Sequence, residues 1–164
     1  MKVLWAPWRM EYILSEKDDR CFICDAAQDG PSEGNLLLFR GDKALVLMNR
    51  FPYNNGHLLV APVAHTSDLS DLTGEEYGET MELFRVSFEV LGEHLSPEGF
   101  NAGINLGKTG GAGLEEHLHF HVVPRWNGDT NYMPVVSDTR VIPEALIETY
   151  RALRPLFEKY GQKE

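Results

Sequence analysis

Three histidines fall at every second position in His117-Leu118-His119-Phe120-His121-Val122-Val123, the segment of this 164-residue chain richest in reactive groups. Side chains on an extended strand alternate between faces, so His117, His119 and His121 are expected on one side and Leu118, Phe120 and Val122 on the other. The apolar side suits a covering helix. The imidazole side must open onto water, a metal or an anionic ligand, since three imidazoles in a dry core would lack partners. Three readings compete. A polar strand face with satisfied histidines is disfavoured because three of the chain's six histidines sit within five residues. Transition-metal binding is open, imidazole being a common zinc ligand. So is phosphate chemistry, in which a neutral imidazole attacks phosphorus while its neighbours donate hydrogen bonds to the non-bridging oxygens.

The segment before the histidines is glycine-rich, Gly107-Lys108-Thr109-Gly110-Gly111-Ala112-Gly113. Glycines allow close backbone approach and positive φ, so such a loop can turn N–H groups toward an anion, or serve simply as a flexible turn. The stretch Gly103 to Thr109 looks superficially like a P-loop. Its glycines are one residue too close, and a strand follows where a helix is required. Cys21-Phe22-Ile23-Cys24 offers half of a tetrahedral metal site or a pair of small buried thiols; it lacks the thioredoxin-like context of a redox pair.

The surrounding elements are readable. Leu36 to Phe39, Ala44 to Met48 and His57 to Val60 are short apolar runs separated by Gly41-Asp42 and Asn54-Asn55-Gly56, which predicts an antiparallel meander. Thr73 and Glu76 form a capping box, followed by Tyr77, Met81, Phe84, Phe88, Leu91 and Leu95 at helical spacing. Ser96-Pro97 stops that helix. Phe100 to Leu106 and His117 to Val123 are expected as further strands, the second closed by Pro124. A last helix with Pro143 in its first turn would carry Leu146, Tyr150, Leu153 and Phe157 on one side, with a kink expected at Pro155. The fold class is therefore α+β with an antiparallel sheet, in a single domain spanning 1–164. The acidic run Glu75, Glu76, Glu79 and Glu82 reads as a solvated helix face.

Lys and Arg number 15 against 25 Asp and Glu, a net charge of −10. That sign disfavours DNA or RNA as a partner, and a small anion would need locally arranged donors. No apolar run reaches the roughly 20 residues of a membrane span, and Met1 to Glu16 lacks the pattern of a signal peptide, so a cytoplasmic location is expected.

Taken together, Asn49-Arg50-Phe51-Pro52, Gly56-His57-Leu58-Leu59-Val60-Ala61-Pro62, the glycine-rich loop and the spaced histidines resemble the histidine-triad (HIT) superfamily of nucleotide hydrolases and transferases. The resemblance covers roughly 21–125, leaving 126–164 as a C-terminal extension. Leu4-Trp5-Ala6-Pro7-Trp8-Arg9-Met10 and Pro124 to Asn131 are also similar to a microbial branch that includes diadenosine tetraphosphate phosphorylases. The resemblance implies a mainly antiparallel five-stranded sheet with a long central helix and a C-terminal helix, paired as a homodimer.

It also implies roles. His119 would attack the α-phosphorus and form a covalent nucleotidyl-histidine; a backbone carbonyl should hold one of its ring nitrogens as a donor, to keep it neutral. His121 and His57 would line the phosphate site, and His117 would support it. Asn49 matches the ribose-contacting position. Asn105, Lys108, Gly111 and Gly113 would contact phosphates, and Phe22 and Ile23 would form the base pocket. Some relatives join a Cys-x-x-Cys to two histidines, here Cys21, Cys24, His65 and His117, so a structural zinc is a candidate, with no cofactor required for catalysis. One departure stands out: Ala112-Gly113-Leu114-Glu115-Glu116 occupies the place where other branches carry a Gly-Gln-Ser or Gly-Gln-Thr motif. Backbone N–H groups, Lys108 or Thr109 would have to replace those donors. The expected function is cleavage of dinucleoside polyphosphates, with water or inorganic phosphate as final acceptor. The alternatives are a non-catalytic nucleotide-binding module and a zinc-dependent hydrolase using the triad as metal ligands.

Overall fold

The computed structural model describes residues 20–129 and 145–161. The expectations for Leu4 to Met10, Thr130, Asn131 and Pro143 lie outside them. The elements are helix α1 (Phe22–Asp29), strands β1 (Leu37–Arg40), β2 (Ala44–Met48) and β3 (Leu58–Pro62), helix α2 (Gly74–Leu95), strands β4 (Gly99–Ile104) and β5 (Phe120–Arg125), and helix α3 (Leu146–Gly161). A short 3-10 turn, Leu69–Asp71, precedes α2.

The five strands form one antiparallel sheet in the order β1-β2-β3-β5-β4. Alternation divides its side chains between two cores. Leu38, Ala44, Val46, Leu58, Val60 and Val122 pack under Val86, Val90 and Leu91 of α2 and under Tyr150, Leu153 and Phe157 of α3. Leu37, Leu45, Leu47, Leu59 and Ala61 face the other way, against Ile23 and Ala26 of α1. Strands β2 and β3 are buried along their whole length, which is why they read as continuous apolar runs. Among the described residues, no helix is long and apolar enough to cross a membrane.

Helix α2 has the expected capping box: the Thr73 side chain accepts from the Glu76 N–H while the Glu76 carboxylate accepts from the Thr73 N–H. Its buried stripe differs from the expected one. Thr80, Leu83, Val86, Ser87, Val90 and Leu91 are buried, whereas Tyr77 is 49% exposed. Thr80 and Ser87 escape a hydrophobicity reading because their hydroxyls bond to the Glu76 and Leu83 carbonyls one turn back, which makes them cheap to bury. The acidic run is not only a solvated face either. Glu79 accepts hydrogen bonds from the Lys43 and Ala44 N–H groups and so ties α2 to the β1–β2 turn.

The last strand also departs from expectation. It begins at Phe120, three residues late, and runs through Pro124 to Arg125. His117 and Leu118 leave the ladder because they bond elsewhere: the Leu118 N–H donates to the Thr66 carbonyl, and His117 Nε2 to the Pro62 carbonyl. Pro124 is tolerated because β3 pairs with β5 only as far as Leu58 and Val122. Its missing donor faces the side that β3 has vacated, while β4 continues opposite through Phe100. Helix α3 is continuous through Pro155.

Candidate active site

The α1 face of the sheet ends in a cavity of about 400 Å³. Its apolar walls are Phe22 and Ala26 from α1, Leu47 and Leu59 from the central strands, and Leu36 and Leu114 from the flanking loops. Asn49, Asn105, Gly111, Gly113, His119 and His121 form its polar part. His121 is there because its Cα partner in the neighbouring strand is Leu59, so the two share the α1 side of the sheet. His119 lies two residues earlier on the same side, its ring centroid 5.0 Å from that of His121.

Hydrogen positions on three imidazoles follow from their partners. His119 Nδ1 is 2.9 Å from the His117 carbonyl oxygen, which can only accept. Nδ1 therefore carries the proton and Nε2 keeps its lone pair. At His57, Nδ1 is 3.0 Å from the Tyr53 N–H and 3.3 Å from the Asn49 amide nitrogen, both donors, so Nδ1 must accept. Its proton is on Nε2, 3.0 Å from His121 Nδ1. His121 Nδ1 thus accepts, and His121 in turn carries its hydrogen on Nε2. One imidazole presents a lone pair, its neighbour an N–H. Burial pushes the His119 titration below that of an ordinary imidazole, against the opposing pull of the His117 carbonyl. The ring stays neutral near pH 7.

The other expected site residues divide. Phe22, Asn49, Asn105, Gly111 and Gly113 line the cavity. His57 is wholly buried and outside the cavity lining, with its Nε2 against His121 Nδ1. Ile23 does not reach the cavity: it points into the core against Leu37 and Leu45, because successive residues of a helix face different ways. Lys108 is exposed in the loop and forms none of the cavity wall. Nor are all the loop N–H groups turned outward. That of Gly111 donates to the Lys108 carbonyl and that of Ala112 to the Gly107 carbonyl. Glu115 and Glu116 are exposed and outside the cavity lining.

Several lining residues carry no sequence expectation: Asp25, Asp29, Asn35 and Tyr53. Arg50, a possible phosphate or interface contact from the sequence, also lines the cavity, and its guanidinium donates to the Gly34 carbonyl at 2.5 Å. Phe22, Asp25, Ala26 and Asp29 lie at spacings of 3, 1 and 3, one face of a helix, and that periodicity was the available signal.

His117 stands apart from its two neighbours. Its Nδ1 is 3.3 Å from Cys21 Sγ and 3.4 Å from Cys24 Sγ, while His65 Nδ1 is 3.2 Å from Cys24 Sγ. All four ligand atoms lie within 4.8 Å of one another. The S···N edge of a tetrahedral Cys2His2 zinc site is about 3.6 Å, from Zn–S and Zn–N bonds of about 2.3 and 2.1 Å. The cluster is therefore close to ligand spacing. His117 Nε2 donates to the Pro62 carbonyl, which leaves Nδ1 as the free electron pair, as a metal ligand requires. Burial first, then the nearby Cys21 and Asp25, push the Cys24 thiol up to about 11; a bound dication would reverse that. The three triad rings do not converge on one ion: His117 turns Nδ1 to Cys21 and Cys24 and Nε2 to the Pro62 carbonyl, and the ligand cluster it joins contains neither His119 nor His121.

The HIT domain model matches residues 33–128. The chain is 39% identical over 158 residues to a protein of Mycobacterium tuberculosis named AP-4-A phosphorylase, covering 92% of this chain and 81% of that one. It is 31% identical over 134 residues to the bis(5'-adenosyl)-triphosphatase of Dictyostelium discoideum, covering 77% and 89%. Among solved structures, a Zn-bound histidine triad family protein from Mycobacterium smegmatis superposes with a TM-score of 0.66 at 27% identity, covering 88% of this chain and 97% of that one. With the spaced histidines, the sheet order and the family match in agreement, this chain belongs to the HIT domain family.

Proposed function

We propose that this chain is an enzyme that cleaves dinucleoside polyphosphates through a covalent nucleotidyl group on His119. The observation that carries the reading is the 2.9 Å bond from His119 Nδ1 to the His117 carbonyl, which leaves Nε2 unprotonated at the cavity wall. Nε2 attacks the α-phosphorus; a P–N bond forms, the bridging P–O bond breaks, and the nucleoside polyphosphate departs with the electron pair. The positive charge gained by the ring is stabilised through Nδ1–H and the carbonyl. His121 Nε2–H donates to a non-bridging oxygen as negative charge accumulates there. In the second step water or inorganic phosphate takes the nucleotidyl group, and His119 is regenerated. Asn49, in the cavity lining, would meet the ribose, and Phe22, Leu47 and Leu59 would offer apolar walls for a base. The names of the M. tuberculosis and D. discoideum relatives support this substrate class.

Incubation with diadenosine tetraphosphate, with and without inorganic phosphate, tests the reading. ATP plus ADP identifies phosphorolysis and ATP plus AMP hydrolysis. Full activity in His119→Asn would overturn the covalent step, and no turnover of any nucleotide anhydride would leave a binding module.

Cys21, Cys24, His65 and His117 would hold a zinc ion as a structural cross-link between the start of α1, the segment after β3 and the approach to β5. The Zn-bound relative supports this assignment. A second copy of the chain would add to the sheet at β4, an edge strand whose Asn101, Ala102 and Gly103 are exposed. Light scattering of the purified protein reads that directly.

A further inference from the structure

The proton on His57 is placed by the Tyr53 N–H, so the turn Tyr53-Asn54-Asn55-Gly56 must be held still for His121 to present a donor. The β3–β5 ladder does not hold it, because pairing stops at Leu58 and Val122. A set of side-chain bonds takes over beyond that point. Asn54 is 5% exposed, and its amide nitrogen is 3.1 Å from the Pro124 carbonyl and 2.9 Å from Asp129 Oδ2. Both neighbours are acceptors, which fixes the amide orientation. The Asn54 carbonyl accepts from the His57 N–H at 3.2 Å.

Asp129 is the hub. Its side chain is 8% exposed, and it accepts from Arg125 Nε at 2.6 Å, from the second Arg125 nitrogen at 3.0 Å and from the Trp126 N–H at 3.2 Å, besides Asn54. Arg125 reaches on to Asn101 Oδ1 in β4 at 2.6 Å. The segment leaving β5 therefore folds back and clamps the turn that enters β3. The strands bearing His121 and following His57 are cross-tied outside the sheet.

We infer that Asp129 and Asn54 are positioning residues, whose clamp fixes the Tyr53 turn and through it the placement of hydrogen on His57 and His121. This rests on the proposed function for its catalytic consequence, but its structural content can be measured alone. Without Asp129 as acceptor, the buried Asn54 amide loses a partner and the turn loosens. His57 Nδ1 then escapes the Tyr53 N–H, and both imidazoles can exchange tautomers.

The test is a long-range 15N–1H correlation spectrum of the imidazoles, recorded on the full chain beside steady-state kinetics. In the wild type His57 and His121 should both appear as Nε2–H tautomers. In Asp129→Ala the two rings should show mixed tautomers, and kcat should fall about 10- to 100-fold with little change in KM, as for loss of a donor to the transition state. Asp129→Glu should restore part of both. Asn54→Ser, which keeps a donor near Pro124 but cannot span to Asp129, should behave like Asp129→Ala and serves if that variant does not fold. A wild-type His57 carrying its proton on Nδ1, or folded variants with wild-type tautomers, would overturn the inference. If the wild type cleaves no dinucleoside polyphosphate, the proposed function fails while the spectra still decide the clamp.

Discussion

His57 Nε2 lies 3.0 Å from His121 Nδ1, and only His57 can be the donor in that pair because its other nitrogen faces the Tyr53 N–H. A histidine with no surface on the cavity thus determines what the cavity presents. Replacing His57 with Ala should lower kcat by about 10²-fold, the scale of losing one oxyanion donor. KM should move little. Progress curves at saturating substrate check this, and a pure KM effect would contradict the relay.

Metal content should be one zinc per chain, measured by emission spectroscopy. Stripping it should lower the melting temperature, because the cluster joins segments 96 residues apart, Cys21 and His117. Cys24→Ala should lose the zinc and the same thermal margin. Catalysis by the residual folded fraction should persist, since His119 and His121 are not among the ligands.

Phe22 is 44% exposed and lies on the cavity wall. Its Ala variant should raise KM for a dinucleotide about 5- to 150-fold, as expected when stacking worth about 1–3 kcal/mol per base is lost, with kcat nearly unchanged. Titration calorimetry with AMP checks the binding part separately.

Gly56 has φ +72, and an added Cβ would stand 2.5 Å from Leu95 Cδ1 and 3.1 Å from Leu91 Cδ2. Gly56→Ala should cost about 1–3 kcal/mol by overpacking, with backbone strain in addition. Urea denaturation gives the value.

The Thr73 N–H and hydroxyl hold the Glu76 carboxyl below its ordinary value of 4.5. A depressed carboxylate stabilises the fold fully above its unfolded value and loses that contribution as pH falls through the folded one. The stability difference between wild type and Glu76→Gln should therefore be constant at neutral pH and shrink below about pH 4.5. Denaturation midpoints from pH 7 to pH 3 check the sign.

The meander, the capping box and the spaced histidines were legible because each depends on local rules: alternation, turn residues and helix-start chemistry. Helix α1 is harder to read, because Cys21 and Cys24 at its start fit a ligand pair as well as they fit the helical spacing of Phe22, Ala26 and Asp29. Spacing alone does not separate His117 from His119 and His121; only the family resemblance joins it to Cys21, Cys24 and His65. Alternation places rings on a side, but the partners of His117 are set by the distant Cys21, Cys24 and Pro62, which no local pattern encodes. Likewise Asp129 and Asn54 lie 75 residues apart, and their contact exists only once the sheet has assembled.

Helix α1 carries a candidate sulfur ligand, Cys24, near its start and four cavity-lining residues along its length. The proposed ligand choice and metal grip are thereby bundled into a single eleven-residue cassette. Transplanting 20–30 from a relative should carry over the donor's base preference and its zinc affinity as a pair, and mutational drift in one of these traits would drag the other with it.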